Sequence, residues 1–281
     1  MIKAKRVILF LLVTVCACVA ADAQMLTVDN ERYDTDSLRA EFDRGPYFSL
    51  YKDNYFIFGT SIGPKPTKEN SNVKFQISIQ QKLTKSVLPF GTYLYLFYTQ
   101  KVFWNVLEKS LPMTDLNFNP GIGIAKPLFV KNRFIGKLTM QIEHESNGRD
   151  SIQSRSWNRI TFGANFLIDA NLSVHAKVWI PIIDGENNRD ILKYCGIYQA
   201  GMSYLSNNKR WGGSLVLVKR AGWNLNYNTI VELFYKLSNN QNQYLFLQYY
   251  NGYGEGLLEY NKFHSQLRVG IVIKPRIFSD Y

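Results

Sequence analysis

Three features of the sequence predict an all-β chain, an antiparallel up-and-down β-barrel of about twelve strands that crosses a membrane. Segments with period-two alternation follow one another from Tyr47 to the C-terminus, with turn residues between them. In several of them charged and amide side chains fall on one face and aliphatics on the other, so that the polar series lines a lumen and the apolar series faces lipid; a soluble barrel would invert this. The chain also holds 18 Tyr, 18 Phe and 5 Trp, and Tyr and Trp are the residues of interfacial girdles. No segment beyond the N-terminus offers the apolar run that a spanning helix requires.

The chain opens with the charged stretch Met1 to Arg6, an apolar run from Val7 to Val19, and Ala21-Asp22-Ala23. This is the layout of a secretory signal peptide over residues 1–23, with cleavage expected after Ala23. The residues before Cys18 fit a lipoprotein cysteine poorly. Residues 24–46 are polar and acidic with little periodicity and read as a loose periplasmic N-terminal segment, followed by a barrel domain over 47–281. The expected strands are Tyr47–Thr60, Asn72–Leu83, Gly91–Trp104, Leu116–Phe129, Arg133–Ser146, Ser156–Phe166, Leu172–Pro181, Gly196–Leu205, Trp211–Val218, Asn228–Leu237, Gln243–Tyr250 and Phe263–Lys274. The chain ends Ile277-Phe278-Ser279-Asp280-Tyr281, and an aromatic final residue suits the last strand of an outer-membrane barrel. Short turns at one end and longer loops at the other are expected to put Asn105–Asp115, Gly148–Arg155 and Asp184–Lys193 on one outer rim.

Of three cysteines only Cys195 lies beyond the signal, so no intramolecular disulfide is expected, and in an apolar strand its role is packing. The formal net charge of +11 favours acidic surfaces such as lipid phosphates near the rim. Nucleic acid is not an expected partner of an exported chain without a continuous basic stripe.

One hairpin carries chemistry. Along Arg133–Ser146, Leu138, Met140, Ile142, His144 and Ser146 share a face, so the apolar series ends in a histidine and a serine without changing sides. If the hairpin is symmetric about Ser151, Asn158 falls opposite His144 and Ser156 opposite Ser146. A serine hydroxyl needs a base to attack an ester, histidine is the usual base, and an amide can orient it. Gly148 lets the backbone bend and present N–H groups to an oxyanion. His-x-Ser alone is a weak motif. The face assignment strengthens it: His175 and His264 fall on polar faces, whereas His144 faces lipid, where polar groups are costly and tend to be functional.

The string His144-Glu-Ser-Asn-Gly-Arg149, followed by Ser154-Arg-Ser-Trp-Asn-Arg159, resembles the active-site segment of the outer-membrane phospholipase A family. Val73–Ser78, Tyr98-Thr-Gln-Lys101 with Trp104, Asp190–Tyr194 and Tyr250–Glu255 through Asn261 match in the same order. The resemblance implies a twelve-stranded barrel that hydrolyses sn-1 and sn-2 acyl esters of phospholipids and lysophospholipids, with Ca2+ as cofactor and as a homodimer in the bacterial outer membrane, the site lying near the outer-leaflet rim. It implies Ser146 as nucleophile, His144 as base, Asn158 as the orienting residue and Gly148 N–H in the oxyanion hole. It further implies calcium on Arg149 and Ser154 with Ser110 of the neighbouring subunit, and Gln100 at the dimer contact. Leu111-Pro112 depart from the family pattern beside Ser110, and Glu186 is a guess at a further acidic ligand, ordinary solvated loop chemistry being the competing reading. Two rival functions are a passive porin and a non-catalytic lipid binder.

Overall fold

The computed structural model describes residues 35–130, 133–182, 186–238 and 243–275. The expected signal peptide, Asp184 and the aromatic end at Tyr281 lie outside the described residues. A helix α1 (Thr35–Arg44) precedes the strands β1 (Phe48–Leu50), β2 (Asn54–Ser61), β3 (Ser71–Lys82), β4 (Tyr93–Trp104), β5 (Met113–Val130), β6 (Arg133–Ser146), β7 (Ser156–Leu167) and β8 (Leu172–Ile182). A short helix α2 (Leu192–Cys195) comes next, then β9 (Tyr198–Leu205), β10 (Trp211–Lys219), β11 (Tyr227–Lys236), β12 (Gln243–Gly252) and β13 (His264–Ile273). Each strand from β2 to β13 pairs antiparallel with its neighbour in sequence, and β13 pairs with β2, so twelve strands close a barrel. Among the described residues no helix is long and apolar enough to cross a membrane.

The expected first strand, Tyr47–Thr60, is broken. β1 pairs with Ile79–Gln81 and β2 with Ser71–Gln76 of the same strand β3, and Tyr51–Asp53 bulge between them. Side chains bridge the gap: Ser78 N donates to Asn54 Oδ1 at 2.7 Å and Lys52 N to Ser78 Oγ at 3.1 Å. The bulge drops the Tyr51 ring into the lumen, 4.4 Å from the Phe97 ring, where its hydroxyl accepts from Gln141 Nε2 at 2.6 Å. Alternation reads face, not continuity, so this interruption leaves no trace in the pattern.

Residues 24–46 are not loose throughout, because α1 occupies their second half. Its docking is local. Phe42 packs on Tyr93 and Phe134 at centroid distances of 5.7 and 5.9 Å, and Asp43 accepts from the Ser86 amide and hydroxyl at 3.0 and 2.9 Å. Cys195 likewise ends a helix rather than sitting in a strand. Burial pushes its thiol up to about 12, which keeps it protonated and supports a packing role.

The two ends differ. Connections 131–132, 168–171, 206–210 and 237–242 are short, with 83–92 the longest at that end; 62–70, 105–112, 147–155, 183–197, 220–226 and 253–263 lie at the other. Side chains fill much of the lumen. Tyr51, Tyr93, Tyr95 and Phe97 cluster in one part, and Tyr55, Ile57, Phe234 and Phe246 in another. Glu255, on the 253–263 loop, meets Arg268 Nη1 at 2.6 Å and Lys74 Nζ at 3.1 Å. Cavities of about 220 Å³, lined by Lys52, Glu143, Arg159 and Glu255 among others, and of about 430 Å³, lined by Asp53, His175, Phe234 and Lys274 among others, remain.

Candidate active site

The alternation along β6 comes out as expected. Leu138, Met140 and Ile142 are exposed on the outer wall, while Thr139, Gln141 and Glu143 are buried inward. His144 and Ser146 continue the outer series, half-buried. The β6–β7 register pairs His144 with Asn158 and Ser146 with Ser156. His144 Nδ1 lies 2.8 Å from Asn158 Oδ1. A carboxamide oxygen only accepts, so this contact fixes the proton on Nδ1 and leaves Nε2 with its lone pair. Ser146 stands two residues along the same face, about 7 Å away at Cα. Among the described residues no hydrogen bond joins Ser146 Oγ to the His144 ring.

Gly148 is held at φ +63, and a Cβ there would stand 2.9 Å from Phe118 Cε2. Both conditions call for glycine. Among the described residues no acceptor pairs with its N–H, which is the state an oxyanion donor needs. The loop keeps this shape through Asn147, a residue sequence reasoning passed over. Its buried side chain donates to Gln153 O at 2.8 Å and accepts from Arg155 N at 3.0 Å and Arg149 N at 3.3 Å. Asn147 stands at the mouth of the loop, directly after β6, and an asparagine at that position was the available signal.

The two strands are knit from behind. Arg159 reaches Glu143 Oε2 at 3.0 Å and Glu145 Oε2 at 3.1 Å, and Trp157 Nε1 donates to Glu145 at 3.1 Å. These lumen pairs alternate with the outward His144–Asn158 pair along the same ladder.

The expected calcium ligands are brought together in part. Arg149 and Ser154 share the 147–155 loop. The Arg149 guanidinium is drawn away to Thr114 O at 2.6 Å and Gln153 Oε1 at 2.5 Å, and among the described residues its carbonyl accepts no hydrogen bond. Neutral oxygens of this kind suit a hard cation. Ser110 is exposed on the 105–112 connection at the same end, where Trp104 Nε1 bonds Leu111 O at 2.9 Å. Among the described residues no group of three acidic, histidine or cysteine side chains could hold a metal. Glu186 is exposed, but its neighbours dock on the hairpin: Asn187 Nδ2 donates to Ser151 O at 2.8 Å. Asn188, fully buried, clips Ser156 from both sides, with Oδ1 3.3 Å from its N and Nδ2 2.9 Å from its O. Tyr260 ties the 253–263 loop to this assembly by donating to Asp190 Oδ1 at 2.5 Å. Burial, then that bond, raises the Tyr260 phenol above its ordinary range. Neither asparagine stands out in the sequence, because the partners of each lie more than thirty residues away.

A family model described as phospholipase A1 matches residues 47–273. The phospholipase A1 of Escherichia coli (strain K12) is 31% identical over 238 residues, which cover 79% of this chain and 80% of that protein. A solved dimer of the Salmonella typhi outer membrane phospholipase (OMPLA) with bound calcium superposes at TM-score 0.72 and 27% identity, over 86% of this chain and 99% of that one. An active-site mutant of the Escherichia coli outer membrane phospholipase A, in which an asparagine is replaced by alanine, gives TM-score 0.71 at 26% identity, over 85% and 96%.

Proposed function

The chain belongs to the phospholipase A1 family and is a phospholipase of the bacterial outer membrane, and from that premise we propose a calcium-dependent serine hydrolase that acts as a homodimer through Ser146, His144 and Asn158. The observation that carries this reading is the 2.8 Å contact between His144 and Asn158 on the lipid-facing wall, with Ser146 next on the same face. The substrates are phospholipids and lysophospholipids, cleaved at sn-1 and sn-2 esters, and the long-loop end is the outer one.

Ser146 Oγ attacks the ester carbonyl carbon while His144 Nε2 takes its proton. The oxyanion that forms meets the Gly148 N–H. On collapse the C–O bond to the glycerol breaks, and the imidazolium returns the proton to the departing oxygen. Water, deprotonated by His144, then attacks the acyl-Ser146 ester and releases the fatty acid. Asn158 holds the ring in one tautomer throughout. Arg149 O and Ser154 Oγ, with Ser110 of the second copy, would hold calcium, which would supply positive charge against the negative charge that develops on the ester. His144, Ser146 and Asn158 lie on the outer wall, so lipid enters sideways from the bilayer.

Dimerisation has support in the sheet itself. Gln100 pairs with Phe118, and Phe118 with Ser146, so Gln100 lies in the same outward row two strands from the nucleophile, roughly 10 Å away. A second barrel resting there would cover the site. Aromatic rings and buried ion pairs packed across the lumen argue against the porin reading. The test is fatty-acid release from phospholipid in detergent by the folded full chain: Ser146→Ala removes the activity, and an unchanged rate would overturn the reading.

A further inference from the structure

The ladder between β5 and β6 is interrupted beside His144. Phe118 pairs with Ser146 and Gly121 with Glu143, and this register sets Pro120 opposite His144. Proline has no N–H, so it cannot donate to the strand it faces. The His144 carbonyl nonetheless has a donor. Asn119 Nδ2, from the buried inward side of β5, lies 2.8 Å from His144 O and 3.1 Å from Glu143 Oε2. Glu143 is fixed in turn by Arg159 Nη2 at 3.0 Å and Thr161 Oγ1 at 2.5 Å. One carboxamide therefore joins the backbone of the proposed base to a braced carboxylate behind the barrel wall.

We propose that Asn119 is a positioning residue: its side chain makes the interstrand hydrogen bond that Pro120 cannot, and so sets where the His144 ring stands relative to Ser146. Asn119 does not touch substrate. It acts through the His144 backbone, and the proposal rests on His144 being the base. A buried carbonyl left without a donor shifts to find one, and a displacement near 1 Å at a catalytic group costs on the order of 100-fold in rate.

The Pro120 position supplies the decisive experiment, because alanine there restores the missing N–H. Asn119→Leu, Pro120→Ala and the double variant are compared as full-length folded protein in detergent for kcat, KM and melting temperature. Asn119→Leu is expected to lower kcat roughly 10- to 100-fold with KM changed less than about two-fold. Pro120→Ala stays near the parent rate, and adding it to Asn119→Leu returns most of the lost kcat. A double variant no faster than Asn119→Leu, or a loss confined to KM or to melting temperature, overturns the proposal. Asn119→Ala, with and without Pro120→Ala, serves the same comparison where the leucine variant does not fold. His144→Ala is measured alongside. Activity that survives it removes the base assignment itself, whereas activity lost there, with no rescue of Asn119→Leu by Pro120→Ala, removes only the role of Asn119.

Discussion

His144 Nδ1 and Asn158 Oδ1 stand 2.8 Å apart on the outside of a barrel whose inside is packed with aromatic rings and ion pairs. A polar pair on a lipid-facing wall is costly unless its groups satisfy each other, and these do. The lumen-facing pairs Glu143–Arg159 and Glu145–Trp157 flank it on the same two strands, so the wall is braced from within beside this outward pair.

Loss of the Asn158 carboxamide should leave a slower enzyme rather than a dead one. Asn158→Ala is expected to reduce kcat by about 10- to 1,000-fold, less than His144→Ala, since the base survives but loses its fixed tautomer. Steady-state rates on one detergent-solubilised phospholipid check this; equal losses for both variants would mean that Asn158 does more than orient the ring.

Gly148→Ala places a Cβ 2.9 Å from Phe118 Cε2 at a backbone with φ +63. The turn must open and carry the N–H away from the oxyanion. The expected loss in kcat is about 100- to 1,000-fold with a folded barrel, read from rates together with the mobility of unheated protein on gels. A near-parent rate would exclude the Gly148 amide from the oxyanion hole.

Removal of calcium with a chelator should stop hydrolysis, and re-addition restore it. Ser154→Ala and Ser110→Ala should each raise the calcium concentration needed for half-maximal rate. The shared arrangement makes a sharper demand: at a calcium concentration too low to support Ser110→Ala, Ser110→Ala and Ser146→Ala proteins should each be nearly inactive alone and regain activity when mixed and allowed to exchange. A mixed dimer keeps one complete site, with Ser146 from one copy and Ser110 from the other. A mixture as slow as its components would count against a site built across two chains.

Asn188→Ala should act at a distance from the reacting atoms. Its fully buried side chain satisfies both backbone groups of Ser156, directly across from Ser146. Leaving those groups unpaired costs about 1–3 kcal/mol. Thermal unfolding in detergent should show a lower midpoint, together with a reduced kcat, because Asn158 follows two residues later. An unchanged midpoint would mean that water takes over both bonds.

Period-two alternation was enough to find the barrel and to turn His144, Ser146 and Asn158 outward, because the face of a strand residue depends only on its parity along the chain. The hairpin register also followed from the sequence, since symmetry of the loop about Ser151 sets which residues meet across it. What the sequence did not reveal depends on closure of the sheet. The break at Tyr51–Asp53 exists because Tyr51 finds Gln141 and Phe97, far along the chain, inside the lumen. Asn147 and Asn188 hold the loops that shape the site, and Asn119 reaches a carbonyl that its own strand neighbour, a proline, leaves unserved. Those partners are chosen by which strands lie side by side, and a hydrogen bond to a distant backbone group has no periodic signature, so only the tertiary structure decides it.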